Sequence, residues 1–480
     1  METFPFNQAR ERYSMWALKA ACPGLSGPGE RGNAIFTWPP GVESPRVRQP
    51  GDMRPAGYLE LLVENAPFRR LFCARTISLL GDWFNTLAVL ALLREIGDSG
   101  AMAFGWILIL KTLPRVFMTP FAGVIVDRHD RKRLMIGTDV LQALLVLACF
   151  TVEFAGSLGP LLLYGLIFLM TAVRAVADPA HTAVIPDLVA RKDLITANAI
   201  SSAAWSVMFT LGTAFGGLVT AGFGWKTALL TDAFTYLLSI GLILGLVIPS
   251  VERLEAVSGS FVDGLRYLAA RPRVWTLTVV KMGWSLAGAI GLVLTILGER
   301  VYSRNLESVE LIRALELDTA LLGVTALYVA RGIGTGFGPI LARWLGGSDS
   351  ARAEKIMAFA FFWSAGFYIL LGFLDSLPLV MLTLIVAHLG GATVWVFSTV
   401  RLQASVPTEV RGRVFACEQG GFTLTMALST FLFSTAIDAE VASLATITSF
   451  LGVVMAVPGT LWLIRCAVLG FGRPRRSLAR

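Results

Sequence analysis

Cysteine, histidine and charge are all scarce in this chain. Its five cysteines (Cys22, Cys73, Cys149, Cys417 and Cys466) and three histidines are scattered along 480 residues. There is no CxxC pair and no cluster of histidines, which argues against a zinc site or a disulfide framework, and no metal site is expected. Charged residues make up 15% of the sequence, against about a quarter in a typical soluble domain. GxSxG, HExxH and P-loop signatures are missing, so the chain does not read as an enzyme and no cofactor is expected. Gly27, Gly29 and Gly32 spell GxGxxG, but they follow no strand pattern and enclose Pro28, a context that rules out a dinucleotide loop.

What the chain has in abundance is apolar sequence, at 55% of residues. From about residue 71 onward, apolar runs recur that are long enough to cross a bilayer, and they are apolar on every helical face. Twelve membrane spans are placed near 71–94, 102–125, 134–155, 160–178, 199–222, 226–248, 274–298, 319–343, 355–374, 378–400, 413–436 and 442–468. They are numbered spans 1 to 12 in that order. Residues 1–65 are rich in Pro and Gly, lack periodicity and read as a flexible tail. An orderly sequence begins just after Met53, which would suit an alternative start. Residues 66–248 would form one six-helix bundle and 274–470 a second. The polar stretch 249–273 would be a cytoplasmic linker whose FVDGLRYLAA forms an amphipathic helix on the membrane surface. Residues 471–480 would be a basic tail.

The net charge of +8 does not point to nucleic acid, because the basic residues flank apolar spans and form no long basic face. With the N-terminus inside, Arg69, Arg70, the cluster at 128–133, Lys192, Arg266, Arg271, Arg273, Arg411 and Arg413 fall on the cytoplasmic side. Arg94, Lys226, Arg300, Arg304 and Arg313 fall outside. That asymmetry puts both termini in the cytoplasm. The two halves also echo each other. FAGVIVDR (121–128) resembles FGPILARW (337–344), and VIPDLV (184–189) resembles SVPTEV (405–410), in the same order and at similar spacing.

The densest charge lies between spans 2 and 3, in GVIVDRHDRKRL (123–134). Twelve spans, a 6+6 repeat and this loop together resemble the major facilitator superfamily. Its loop signature is matched by Gly123, Asp127, Arg128, Arg131 and Lys132, with His129-Asp130 replacing the usual pair. The resemblance covers about residues 58–470. Three further stretches resemble its drug and siderophore exporter branch, which includes enterobactin exporters and macrolide efflux proteins. These are TISLLGDWFNTLAV (76–89), DPAHTAVIPDLVARKDLITANAI (178–200) and PTEVRGRVFA (407–416). The resemblance implies an all-α membrane transporter of two six-helix bundles that works by alternating access. The loop cluster would be a cytoplasmic gate: Gly123 permits close helix approach, Asp127 accepts from a helix N-terminus, and the basic residues bridge to other spans.

Span 5 carries GTAFGG (212–217), where antiporters of the superfamily often carry a proline at the position of Thr213. Gly212, Gly216 and Gly217 are read as close helix-packing positions. RGIGTGFGP (331–339) in span 8 reads the same way. His388 reads as a hydrogen-bonded packing residue.

Charges at membrane depth are expensive, at about 2.5–3.5 kcal/mol each on the insertion scale. Asp82 in span 1 and Lys111 and Arg115 in span 2 lie at similar depth, which predicts an Asp82–Arg115 or Asp82–Lys111 pair. Arg174 falls where the resemblance implies a proton-coupling arginine, although Ala177-Asp178 replaces the family's following Gln-Gly. Asp232, Lys281 and Arg331 are further deep charges. Trp284, Trp395 and Arg331 are candidates to line a substrate cavity. The function this implies is a proton-driven exporter of small amphipathic compounds (drugs, a siderophore or a metabolite), monomeric, multi-pass in the cell inner membrane, with the bilayer and a small molecule as its partners. A lysophospholipid-type flippase and a non-transporting sensor or scaffold are the alternatives.

Overall fold

The computed structural model describes residues 56–97, 100–248, 261–346 and 350–469. The tail before residue 56, the linker before residue 261 and the basic end after residue 469 lie outside the described residues. Within them the backbone is helical and forms no strand, as a chain must be when no water is present to take up exposed amide groups.

Ten helical runs are long and apolar enough to cross a membrane. Two are too long for one crossing, with 58 and 49 residues where about 20 suffice. Each turns at a glycine with positive φ: Gly156 at 56° and Gly224 at 79°. That region of backbone space costs a glycine nothing and any side chain more. The halves of each run fold back together. Arg131–Ala148 packs on Gly159–Leu188, and both arms of Leu194–Leu244 lie against span 1. The chain therefore crosses twelve times. Span 1 is Ala66–Glu95, span 8 Thr319–Gly346, span 9 Ser350–Leu371, span 10 Leu377–Ser405, span 11 Thr408–Asp438 and span 12 Leu444–Leu469.

Two spans are broken. Span 2 runs Ala101–Leu110 and then Leu113–Arg128, interrupted at Lys111 and Thr112 ahead of Pro114, whose ring and missing N–H cannot continue the helix. Span 7 runs Pro272–Ser285 and then Ile290–Leu297. A short helix is present at Phe261–Ala269. The predicted tail is too long, because residues 58–64 inside it form the helix Tyr58–Glu64. That segment is tied to the loop between spans 4 and 5. Ala56 N donates to Asp193 Oδ1 at 2.7 Å, Thr196 Oγ1 donates to Ala56 O at 3.1 Å, and Asn65 Nδ2 donates to Leu188 O at 2.8 Å.

The polar bonds that join the two halves gather at one end. Arg94 pairs with Glu299 at 3.2 Å and with Asp318 at 3.1 Å. Asp318 N donates to Ala221 O at 3.1 Å. The Asp438 carboxylate caps the start of span 2, accepting from Ala101 N at 2.8 Å and Met102 N at 2.7 Å, a favourable place for an anion. The opposite end carries the 128–133 cluster and is called the basic end below.

Small residues set the closest approaches. A Cβ on Gly212 would lie 2.8 Å from Trp83 Cβ, and one on Gly216 would lie 2.8 Å from Phe84 Cα, so both let span 5 lie directly on span 1. Gly217 faces the other half, where a Cβ would lie 1.9 Å from Thr325 Oγ1. Thr213 bonds back along its own helix, to Phe209 O at 2.8 Å and Thr210 O at 3.0 Å, a pattern that bends helices slightly. Gly216→Ala is expected to destabilise the purified protein by about 1–3 kcal/mol, the usual cost of overpacking. Gly165→Ala, where nothing lies within 4 Å of the added carbon, should leave it unchanged. Thermal unfolding in detergent checks this, and equal midpoints for the two variants would refute it.

Candidate functional site

A charged network occupies the middle of the N-terminal half. Arg75, Ser78 and Asp82 recur every three or four residues and share one face of span 1. Arg174 and Asp178 stand one turn apart on span 4. Asp178 is the hub. Its Oδ1 meets Arg75 Nη2 at 2.6 Å and Arg174 Nε at 3.3 Å, and its Oδ2 meets Arg115 Nη1 at 3.2 Å. Arg174 reaches on to the Asp82 carboxylate and donates to Ser78 Oγ at 2.9 Å. Asp82 also accepts from Tyr236 OH at 2.8 Å. Three guanidinium groups thus share two carboxylates across spans 1, 2, 4 and 6. Arg174 is buried at the centre, with a side chain 6% exposed, whereas Arg115 at the rim is 44% exposed.

The predicted partners of Asp82 are therefore corrected. Lys111 donates to Asn85 Oδ1 at 2.9 Å and Thr86 Oγ1 at 3.1 Å, and Arg115 goes to Asp178. Residue spacing fixes depth but not the direction around the helix axis, and Lys111 reaches Asn85 and Thr86, one turn beyond Asp82. Beside this network Asp232 is fully buried at 0% exposure. Its charged and polar neighbours are Asp82, Lys111, Arg174 and Asn85. Asp139 accepts from Ser239 Oγ at 2.7 Å.

At the basic end, Arg131 donates to Asp187 Oδ2 and Ala183 O, both at 2.6 Å. Lys132 donates to Leu244 O at 2.8 Å, at the end of its helix, where a cation complements the helix dipole. Asp130 caps span 3, accepting from Arg133 N at 2.8 Å. These bonds tie spans 3, 4 and 6 of one half together. Arg128 is exposed, and the side chain of Asp127 lies outside the described residues. Gly123 does not serve the close approach expected of it here, because a Cβ there would meet nothing within 4 Å.

The C-terminal half holds a more closed arrangement. Lys281 Nζ pairs with Glu418 Oε2 at 3.1 Å, with side chains only 5% and 3% exposed, and lies 4.1 Å from the Trp395 ring centre. Trp395 also meets Phe422 edge-on at 5.3 Å and keeps an exposed face. Trp284 packs against Phe361 at 6.3 Å and Tyr368 at 6.5 Å, and covers Gly391. His388 bonds to Tyr368 OH at 3.2 Å and Leu384 O at 3.1 Å. Arg331 lies between the halves, its guanidinium 5.7 Å from the Phe209 ring centre.

The sequence reading missed Arg75, Tyr236, Glu418 and the central position of Asp178. Asp178 had been noted only as a departure from a pattern. The available signal was its spacing, four residues after Arg174, which places an acid beside a base on one helix face.

Breaking a buried ion pair costs about 3–5 kcal/mol, while replacing both partners by apolar residues is often neutral. Glu418→Leu alone should therefore destabilise strongly, and Lys281→Met combined with Glu418→Leu should recover most of the loss in thermal unfolding. Additive losses would show that the two side chains do not act as a pair.

Comparison with known proteins agrees with this architecture. Residues 62–468 match the family model described as transmembrane secretion effector. The putative bacilysin exporter BacE of Bacillus subtilis is 26% identical over 224 residues, 45% of this chain and 55% of that protein. The chain thus spans about half the length of that relative. The uncharacterized MFS-type transporter YfiS of the same species is 25% identical over 377 residues, 75% of this chain and 84% of that one. Macrolide efflux protein A of Streptococcus pyogenes is 24% identical over 218 residues, 44% of this chain and 54% of that protein. Among solved structures, the nucleoside transporter NupG superposes with a TM-score of 0.60 at 13% identity, covering 83% of this chain and 98% of that one. A bacterial homolog of the human lysosomal transporter Spinster, inward-facing and unoccupied, gives 0.58 at 14%, covering 85% and 96%. These two likenesses show a shared fold. The chain is a multi-pass membrane protein and belongs to the transmembrane secretion effector family of the major facilitator superfamily.

Proposed function

We propose that this protein is a proton-coupled exporter of small amphipathic compounds, acting as a monomer in the cell inner membrane with both termini in the cytoplasm. The observation that carries the reading is the position of Asp82, shared between Arg174 and Tyr236 at membrane depth and still partly exposed. Protonating Asp82 removes its attraction for Arg174, which then falls back on Asp178, its other carboxylate partner. Spans 1, 4 and 6 are thereby loosened at one point. A proton taken up when the site faces outward and released when it faces inward would drive the substrate the opposite way.

The seal between the halves fits the same cycle. With the basic end in the cytoplasm, the Arg94, Asp318 and Asp438 bonds close the outer side. This is the inward-facing stage. The basic cluster would then act as the inner gate, with Arg128, Arg131 and Lys132 available to bridge the halves when that side closes. The energy source is the proton gradient, and the reading requires no cofactor. Exporter-like relatives support the direction of transport. Bacilysin and macrolides mark the range of compounds those relatives are named for.

Inside-out vesicles with an imposed proton gradient and a pH-sensitive dye test the proposal. A panel of macrolides, dyes, catechol siderophores and lysolipids should include a compound that releases the gradient, and Asp82→Asn should abolish that release. Full coupled transport by Asp82→Asn would remove Asp82 from the proton path. Labelled lysolipid crossing with the gradient untouched by every compound would replace the exporter reading with a flippase.

A further inference from the structure

Arg331 differs from the other described basic residues at membrane depth. Arg75, Arg115 and Arg174 share Asp178, Lys281 has Glu418, and Lys111 is held by the Asn85 and Thr86 oxygens. Arg331 stands near the middle of span 8, and among the described residues its guanidinium has no carboxylate and no hydrogen-bond acceptor. Its charge reaches Tyr328, Tyr368 and His388, none of them a carboxylate. Among the described residues its cation–π contact is with the face of Phe209, 5.7 Å away.

That contact does not balance the cost of the placement. An unpaired cation at this depth costs about 2.5–3.5 kcal/mol, and a cation–π contact returns about 0.5–2 kcal/mol. The position is also central. Phe209 belongs to span 5, and Nη1 of Arg331 lies against Gly291 of span 7, 3.5 Å from where a Cβ would stand, with Leu108 of span 2 beside it. Elements of both halves therefore surround the guanidinium. Phe209, itself buried, packs on Trp83 at 4.4 Å and on Trp205 at 5.8 Å, and Trp205 is 45% exposed. A planar fork of donors suits a carboxylate bound through both oxygens. An exposed indole next to it suits a flat apolar body.

On the reading that substrates pass between the two halves, we propose that Arg331 binds the carboxylate of an anionic amphipathic substrate whose apolar or aromatic body lies on Trp205. The substrate class is thus acidic rather than cationic. The anion would complete the charge balance that the protein leaves open, and its arrival would join span 8 of one half to span 5 of the other.

Three probes with one aromatic body separate charge from apolarity: dansylglycine (anionic), dansylglycinamide (neutral) and dansyl-ethylenediamine (cationic). Binding to the purified full chain in lipid nanodiscs is read by energy transfer from tryptophan to dansyl, with no proton gradient present. Dansylglycine is expected to bind about ten- to a hundredfold more tightly than the other two, the worth of one charge-assisted contact. Arg331→Gln should erase that preference, and Arg331→Lys should retain part of it. Equal affinities, a preference for the cation, a preference that survives Arg331→Gln, or no binding of any probe would each overturn the proposal. A gradient-free binding assay is independent of proton coupling, so failure of the Asp82 mechanism leaves this result interpretable on its own.

Discussion

The shared carboxylate of Asp178 is the interaction on which the N-terminal half depends. Three arginines converge on it or on its neighbour Asp82, and each guanidinium alone at this depth would be costly. Removing Arg174 would leave Asp82 with Tyr236 as its partner and Asp178 with Arg75 and Arg115. The network therefore fixes how spans 1, 2 and 4 face one another, and Tyr236 adds span 6 through Asp82. A pairwise salt bridge would hold only two helices. Sharing makes the state of one carboxylate felt by four.

The two halves use charge differently. In the C-terminal half, Lys281 and Glu418 neutralise each other out of contact with solvent, capped by the Trp395 ring. Nothing there is shared, so changing the charge on one member disrupts only that pair. The N-terminal network is partly exposed and has more cations than ionised partners in direct contact. The six-span halves thus differ: one has polar groups that can exchange partners, and the other has polar groups that serve packing.

The fold was legible in the sequence because its signals are one-dimensional. Apolar run length gives crossings, and the twelve spans appear near the predicted places. The site was legible only in part. Asp82, Lys111 and Arg115 stand out by the rarity of charge at such depth and Arg174 by the resemblance, and each lies in the network or beside it. Their pairing was misread because depth says nothing about the direction in which a side chain leaves its helix. The break at Lys111 and Thr112 is a local backbone change that composition cannot reveal. Gly123 was misread for a related reason. A small residue permits close approach, but which glycine meets a neighbour depends on the packing of whole helices. Gly216 does, and Gly123 does not.

The distribution of strong and weak contacts explains why such a molecule would move as two bodies. Within the N-terminal half, the Arg174 pairs are buried and joined in a network, so separating span 1 from span 4 exposes several uncompensated charges at once. Between the halves, the Arg94 pairs and the Asp438 cap lie at partly exposed loop ends. Exposed ion pairs contribute about 0–1 kcal/mol each, because water replaces them readily. Close approaches such as Gly217 on Thr325 and Gly332 on Thr210 add dispersion, but they hold no charge in place and leave none stranded when they part. Opening the seal is thus far cheaper than deforming either half. An anion bridging Arg331 to the surface of span 5 would act at this weak interface, where a few kcal/mol decide which end is open.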